Sequence, residues 1–483
     1  MPDTLFAKKT LADLQAQAEE SEHSLKRTLS ASNLVALGIG AIIGAGLFSL
    51  TGLAAANYAG PAVTLSFILA AVGCGFAGLC YSEFSTMIPV AGSAYTYAYA
   101  TLGEFIAWII GWDLVLEYAV GAATVSISWS AYVVSFLHGF NINLPPELVA
   151  SPWQPVQLPN GELVHGIVNL PAVFIVAVIS WLLITGIQES ARVNSIIVVI
   201  KVAVVIAFIG AGIAYIQPVH YQPFIPVNTG EFGHFGYSGI LRAAGIIFFA
   251  YIGFDAVSTA AQEAKNPQRD MPIGIIGSLI ICTILYVGFA LVMTGLVPYA
   301  ELGNAAPVAT AVDRTPYTGF NAAIKIAIIC GYSSVILVML LGQSRVFFSM
   351  SRDGLLPGVF SRIHPKYRTP YLTNAIFAVG VGLFAALAPI QLVGEMTSIG
   401  TLLAFVIVCI GVLVMRKTHP DTPRPFRTPL VPFVPIMGIL SCGLLMFGLG
   451  LSNWIRLFGW LALGMIVYFF YSRHHSRVRG HAG

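Results

Sequence analysis

Charge is scarce in this sequence. Only 9% of its 483 residues are Asp, Glu, Lys or Arg, against about 25% in an average soluble chain. That is too little to dress an aqueous surface, so an ordinary soluble globular protein is excluded. The composition equally excludes a disordered chain, a collagen and a coiled coil. Cysteine is sparse as well. Cys74, Cys80, Cys282, Cys330, Cys409 and Cys442 each lie in an apolar run, with no CxxC and no Cys/His cluster. They read as small buried hydrophobes, and no zinc site or disulfide framework is expected. HExxH and GxSxG are missing, and no histidine cluster falls within the apolar runs, which argues against a membrane-embedded enzyme. No ring of like charges or filter-like loop suggests a channel. Residues 1–30 contain Lys8, Lys9, Glu19, Glu20, Lys26 and Arg27 and lack a long apolar core. They read as a cytoplasmic tail with a short amphipathic stretch rather than a cleavable signal.

What is abundant is apolar: 57% of residues, with a mean hydropathy of +0.81. Crossing a bilayer takes about 20 apolar residues per helix. Runs fall near 32–57, 62–88, 104–137, 166–187, 193–216, 239–264, 272–297, 321–350, 372–389, 392–415, 431–451 and 455–472. The expectation is an all-α polytopic membrane protein with twelve transmembrane helices. Its tails would be 1–30 and 473–483, around one transmembrane domain over 31–472. With the N-terminus inside, all but five of the 24 Lys and Arg fall in the tails or at inner loops. The five are Lys201, Arg242, Arg314, Lys325 and Arg456, while the outer loops 138–165 and 217–238 carry none. Both termini are therefore expected in the cytoplasm. The basic C-terminal tail suits membrane lipid headgroups or simply fixes topology. Nothing suggests nucleic acid as a partner.

Two runs are interrupted. The first reads Gly38-Ile39-Gly40-Ala41-Ile42-Ile43-Gly44-Ala45-Gly46-Leu47-Phe48, and each interior glycine costs about 1 kcal/mol against alanine. The glycines serve either close helix–helix packing or an unwinding near Ile43–Gly46 that exposes backbone to a buried site. The sixth run reads Ile247-Phe248-Phe249-Ala250-Tyr251-Ile252-Gly253-Phe254-Asp255-Ala256, with a carboxylate deep in apolar surroundings. Two broken helices, five apart, point to an inverted-repeat transporter. Half-helix N-termini bind a carboxylate and free carbonyls bind an ammonium group, so such a site suits an amino acid. Gly44, Ala45 and Gly46 are small enough to let a ligand touch backbone.

Lys201 falls about 12 Å past the start of its run, at 1.5 Å per residue. That depth is too great for easy snorkelling. It reads either as a proton-binding group or as a fixed cation in the place of a coupling sodium. Asp113 and Glu117 share a helix face, as a proton relay or a structural hydrogen-bonding pair. Glu83, near the inner surface, reads as a cap or loop partner as readily as a transport group. Ser333 and Ser334 either help line an ion site or bond back to their own helix. Met339 fills a substrate side-chain pocket or packs the core.

The chain resembles the amino acid–polyamine–organocation transporter superfamily, and most of all the bacterial members of the cationic amino acid transporter family. The resemblance rests on Gly38–Phe48, Tyr81-Ser82-Glu83-Phe84, Pro89-Val90-Ala91-Gly92-Ser93-Ala94-Tyr95 and Gly111-Trp112-Asp113-Leu114-Val115-Leu116-Glu117-Tyr118. It rests further on Tyr251-Ile252-Gly253-Phe254-Asp255, Lys265-Asn266-Pro267-Gln268-Arg269, Arg352-Asp353-Gly354-Leu355-Leu356-Pro357 and Ser398–Ala404. It implies a LeuT-like five-plus-five inverted repeat (31–216 and 239–416), with the last two helices (431–472) outside it and helices 1 and 6 unwound. It implies alternating access and L-amino acid import across a bacterial plasma membrane. By position, the substrate carboxylate would meet the amides of Ala45 and Gly46. The ammonium would meet carbonyls near Ile42, Phe249, Ala250 and Ile252, with Phe249 as a gate. Lys201 would be the proton-coupling lysine. Met339 stands where many relatives carry a small polar residue, which disfavours a long guanidinium, and Asp255 is expected to be the only acid near the pocket that could meet a cationic side chain.

The leading expectation is thus a proton-coupled importer of small neutral amino acids such as L-alanine, cationic ones such as L-arginine, or both. It needs a proton gradient and no cofactor or metal. An exchanger of the same fold is the alternative. The sequence leaves open whether an accessory subunit binds.

Overall fold

The computed structural model describes residues 4–9, 29–88, 93–157, 163–186, 191–261, 264–304, 306–316 and 318–480. Lys26, Arg27, the Pro89–Gly92 stretch and the side chains of Ser93, Arg192 and Arg479 lie outside the described residues. The main helices are α1 (Ala31–Ile42), α2 (Val63–Met87), α3 (Glu104–His138), α4 (Leu170–Thr185), α5 (Ala191–Gly212) and α6 (Gly236–Tyr251). They continue as α7 (Pro267–Leu296), α8 (Thr318–Arg352), α9 (Tyr371–Leu387), α10 (Ile390–Thr418), α11 (Phe433–Gly448) and α12 (Leu451–His475).

Among the described residues, seven helical stretches are long and apolar enough to cross a membrane, and five more are shorter and apolar. One long stretch, Gly46–Met87, joins the continuation of α1 to α2. The turn between them is made at Gly60, whose φ of +61° suits a residue without a Cβ. Local signals mark several ends. Ser30 caps α1 by accepting from the Asn33 amide, and Asn169 caps α4 by accepting from Ala172. Gly186 ends α4 in the left-handed conformation.

The outside of the bundle is apolar. Ile206 on α5, Ile284 on α7, Val379 on α9 and Phe447 on α11 are each more than half exposed. A surface of this kind is stable only in hydrocarbon. Polar side chains turn inward. Tyr81, Tyr132, Tyr251, Tyr286 and Tyr332 are fully buried, and a buried phenol seeks a hydrogen-bond partner.

The fold is all-α apart from one short loop hairpin, β1 (Pro155–Gln157) antiparallel to β2 (Leu163–His165), between α3 and α4. One expectation needs correction: the six cysteines are not all buried, since Cys330 faces outward from α8. A run's apolar character does not say which of its faces packs inward.

Four of the basic residues that fall away from the expected inner loops are matched to partners. Arg314 pairs with Glu301 at 2.7 Å and Lys325 with Asp313 at 3.8 Å, while Arg242 and Arg456 each lie 3.6 Å from Glu395. At the other end, Glu83 accepts two hydrogen bonds from Arg416, both 2.9 Å, and lies 3.2 Å from Arg424. Glu83 therefore takes the loop-pairing role. Lys9 reaches Asp353 at 2.6 Å, and Tyr95 donates to the same carboxylate.

Candidate functional site

The ladder of α1 stops at Ile42. The next residue, Ile43, is extended (φ −71°, ψ 106°), and regular bonding resumes with Leu47 and Phe48, whose amides both donate to the Gly44 carbonyl. The Gly46–Leu50 turn that follows is π-helical. A helix end leaves its last carbonyls without intrahelical partners. Here they are taken by side chains from other helices. Lys201 of α5 donates to the Gly40 carbonyl at 2.8 Å, and Tyr286 of α7 donates to the Ile42 carbonyl at 3.0 Å.

α6 breaks opposite. Phe248–Tyr251 is a 3-10 turn, Ile252 is extended, and Gly253 adopts φ +119°. Gly253 sits so close to the backbone of Ala41 that a Cβ would meet it at 2.8 Å. A Cβ on Gly46 would fall 2.2 Å from the Cα of Ala250. The two breaks are therefore in direct contact, and glycine is the residue that permits it. Tyr286 ties them further, because its hydroxyl also lies 2.9 Å from the Ala250 carbonyl. The Phe249 carbonyl accepts instead from the Ile252 amide.

The expected site residues separate into groups. Ile42, Ile43, Gly44, Ala45, Gly46, Phe249, Ala250 and Ile252 all lie at the paired breaks and are buried. Lys201, 2% exposed, caps the end of α1 and lies against Gly331 of α8. Asp255 faces α3, where Tyr118 donates to it at 3.1 Å. Glu117 lies beside it, on a π-helical turn of α3, together with Thr401 of α10. Asp255 is thus not the sole acid of this region. Asp113 and Glu117 do not form the structural pair considered for them. Among the described residues neither carboxyl of Asp113 or Glu117 has a hydrogen-bond partner of good geometry. Ser333 and Ser334 both bond back to their own helix, at Ile329 and Gly331, and Ser333 also accepts from Trp129. Met339 packs over Gly121 of α3, close to Thr397 of α10.

Tyr286 and Val335 were not foreseen. Val335 on α8 covers Gly44, with its methyl 3.3 Å from where a Cβ would stand. A tyrosine deep in an apolar run was the available signal for Tyr286, since its hydroxyl must be satisfied there. Val335 carries no signal beyond its position one turn before Met339.

The comparisons decide the family. Residues 29–471 match the amino acid permease family. The chain belongs to it. This permease is accordingly a transporter of the amino acid–polyamine–organocation superfamily and not an enzyme. It is 46% identical over 99% of its length to the branched-chain amino acid permease BcaP of Bacillus subtilis, covering all of that protein. It is 42% identical over 98% of its length to a methylthioribose transporter of the same species, covering 99% of it. Vacuolar cationic amino acid transporter 4 of Arabidopsis thaliana is 37% identical over 87% of this chain, which covers 68% of that protein. These names support amino acid transport by an integral membrane protein.

Proposed function

We propose that this permease is a proton-coupled importer of L-amino acids. It has twelve spans, a five-plus-five inverted repeat and both termini in the cytoplasm, and works by alternating access in a bacterial plasma membrane. The observation that carries the reading is the meeting of the two breaks at Gly46 and Ala250. Their half-helix ends supply amides for a carboxylate on one side and carbonyls for an ammonium on the other. Lys201 holds one of those carbonyls, at Gly40. A proton gained or lost at Nζ changes the charge at the end of α1 and so biases its packing on α5. The proton gradient is the driving force, and no cofactor takes part.

Neutral side chains, small or branched, are the preferred substrates. Met339 over Gly121 limits length, and the BcaP relative is named for branched-chain amino acids. A cationic side chain would need an acid, and Asp255 and Glu117 are the carboxyls nearest the α6 break. The relative named for methylthioribose supports one further reading, a non-amino-acid solute in the same cavity.

The test is initial uptake into proteoliposomes of labelled L-alanine, L-leucine and L-arginine, with and without an inward proton gradient, for wild type and Lys201→Ala. Gradient-driven accumulation that the variant loses supports symport through Lys201. Uptake that ignores the gradient and needs preloaded amino acid sinks symport in favour of exchange. Competition by methylthioribose alone would sink the substrate assignment.

A further inference from the structure

A single carboxylate, Glu395, gathers groups from four parts of the chain at the end of the bundle where α6, α10 and α12 begin. It is 4% exposed. Its two oxygens are held differently. Oε2 accepts from Asn453 of α12 at 2.7 Å and lies 3.6 Å from Arg456. Arg456 in turn donates to the Asn453 side-chain oxygen at 2.8 Å. Oε1 faces Arg242 of α6 at 3.6 Å and Gln391 at 3.2 Å. Gln391 also donates to the Tyr58 hydroxyl, and the Arg242 guanidinium lies 4.8 Å from the Tyr58 ring centre.

The two sides come from different elements. Tyr58 ends the continuation of α1, and its carbonyl accepts from the Phe235 amide just before α6. A Cβ on Gly239 would fall 2.1 Å from that same carbonyl. The segments beyond the two breaks are thus joined and carry Tyr58 and Arg242 together. α12, by contrast, is zipped to α3. Trp112 and Trp460 stack at 4.8 Å and exchange indole N–H to carbonyl hydrogen bonds, at 2.9 and 3.1 Å. Trp108 adds a third such bond, to Gly464. Each helix offers Glu395 an arginine at 3.6 Å, and α12 adds the 2.7 Å hydrogen bond from Asn453. Arg242 makes a 3.6 Å ion pair, and its buried Nε has no hydrogen-bond partner among the described residues.

We propose that Glu395 is the fixed half of an outer gate, held in place by Asn453 and Arg456 of α12, and that Arg242 is its releasable partner. Opening separates Arg242 and Tyr58 from Oε1 and Gln391, while Oε2 stays on α12. The helices outside the repeat then set how often the permease opens outward. Asn453 and Arg456 are positioning residues that touch no substrate. This rests on the alternating-access reading proposed above.

The test reads opening rather than transport. Ser398, fully buried on α10 about one turn below Glu395, is replaced by Cys, with Cys330→Ser in the background. Its labelling by a membrane-impermeant maleimide is timed in proteoliposomes, beside melting curves. Glu395→Gln and Arg242→Ala are expected to label about five-fold faster, as loss of a buried ion pair allows. Arg242→Lys should fall between Arg242→Ala and wild type. Asn453→Ala and Arg456→Ala should accelerate labelling two- to three-fold, about half of that effect on a free-energy scale. Unchanged labelling in folded Glu395→Gln and Arg242→Ala overturns the gate. Acceleration there with none in either α12 variant overturns the anchoring role. Absence of amino acid uptake by wild type would instead sink the transport reading, and the labelling rates would still report the gate.

Discussion

Lys201 and Gly40 are joined by a 2.8 Å hydrogen bond that runs from the middle of α5 to the last turn of α1. A helix C-terminus attracts cations, and an amine can donate whether or not it is charged. The contact therefore survives a proton transfer while its strength changes. Lys201→Met keeps the apolar length and removes the donor. It should abolish acceleration of uptake by an inward proton gradient and leave exchange measurable. Gradient-driven accumulation by that variant would rule out Lys201 as the coupling group.

Tyr286 bridges the carbonyls of Ile42 and Ala250 at 3.0 and 2.9 Å. Tyr286→Phe keeps the ring and deletes the bridge. Its single proton is shared between the two acceptors, and one hydrogen bond at about 0.5–1.5 kcal/mol suggests a loss of about 1 kcal/mol, read as a lower melting temperature in detergent. Uptake should fall with it, because both carbonyls lie at the proposed ammonium site. An unchanged melting curve would mean that the phenol bridges nothing of consequence.

Gly44 and Gly46 should respond unequally to alanine. A Cβ at Gly44 would meet a Val335 methyl at 3.3 Å, and that side chain can give way. A Cβ at Gly46 would stand 2.2 Å from the Ala250 backbone, which cannot yield without moving the α6 break. Overpacking of this kind costs about 1–3 kcal/mol or more. Gly44→Ala should keep at least about half of wild-type uptake and Gly46→Ala less than about a tenth, at matched amounts of folded protein. Equal uptake by the two would contradict the contact between the breaks.

Glu83 is buried and shared by Arg416 and Arg424. Removing one partner of a buried ion pair costs about 3–5 kcal/mol when no other remains. Arg424 remains here, so Arg416→Ala should cost less, about 2 kcal/mol. Glu83→Gln combined with Arg416→Ala should cost less than the sum of the single changes. Strict additivity in melting experiments would show that the two side chains do not interact.

Much of this protein is legible along the chain. Scarce charge and long apolar runs require a polytopic membrane protein, because no aqueous surface can be built from such residues. Glycines packed around Ile43, and Gly253 before Asp255, mark where two helices break, because helix propensity is a local property. Tertiary structure decided what meets those breaks. Tyr286 comes to Ile42 from 244 positions away and Lys201 to Gly40 from 161. Glu117 joins Asp255, and Glu395 is divided between α6 and α12, by the same means. Hydropathy records how much of a helix avoids water. It does not record which face turns toward which neighbour, and that is set by the packing of all the helices at once.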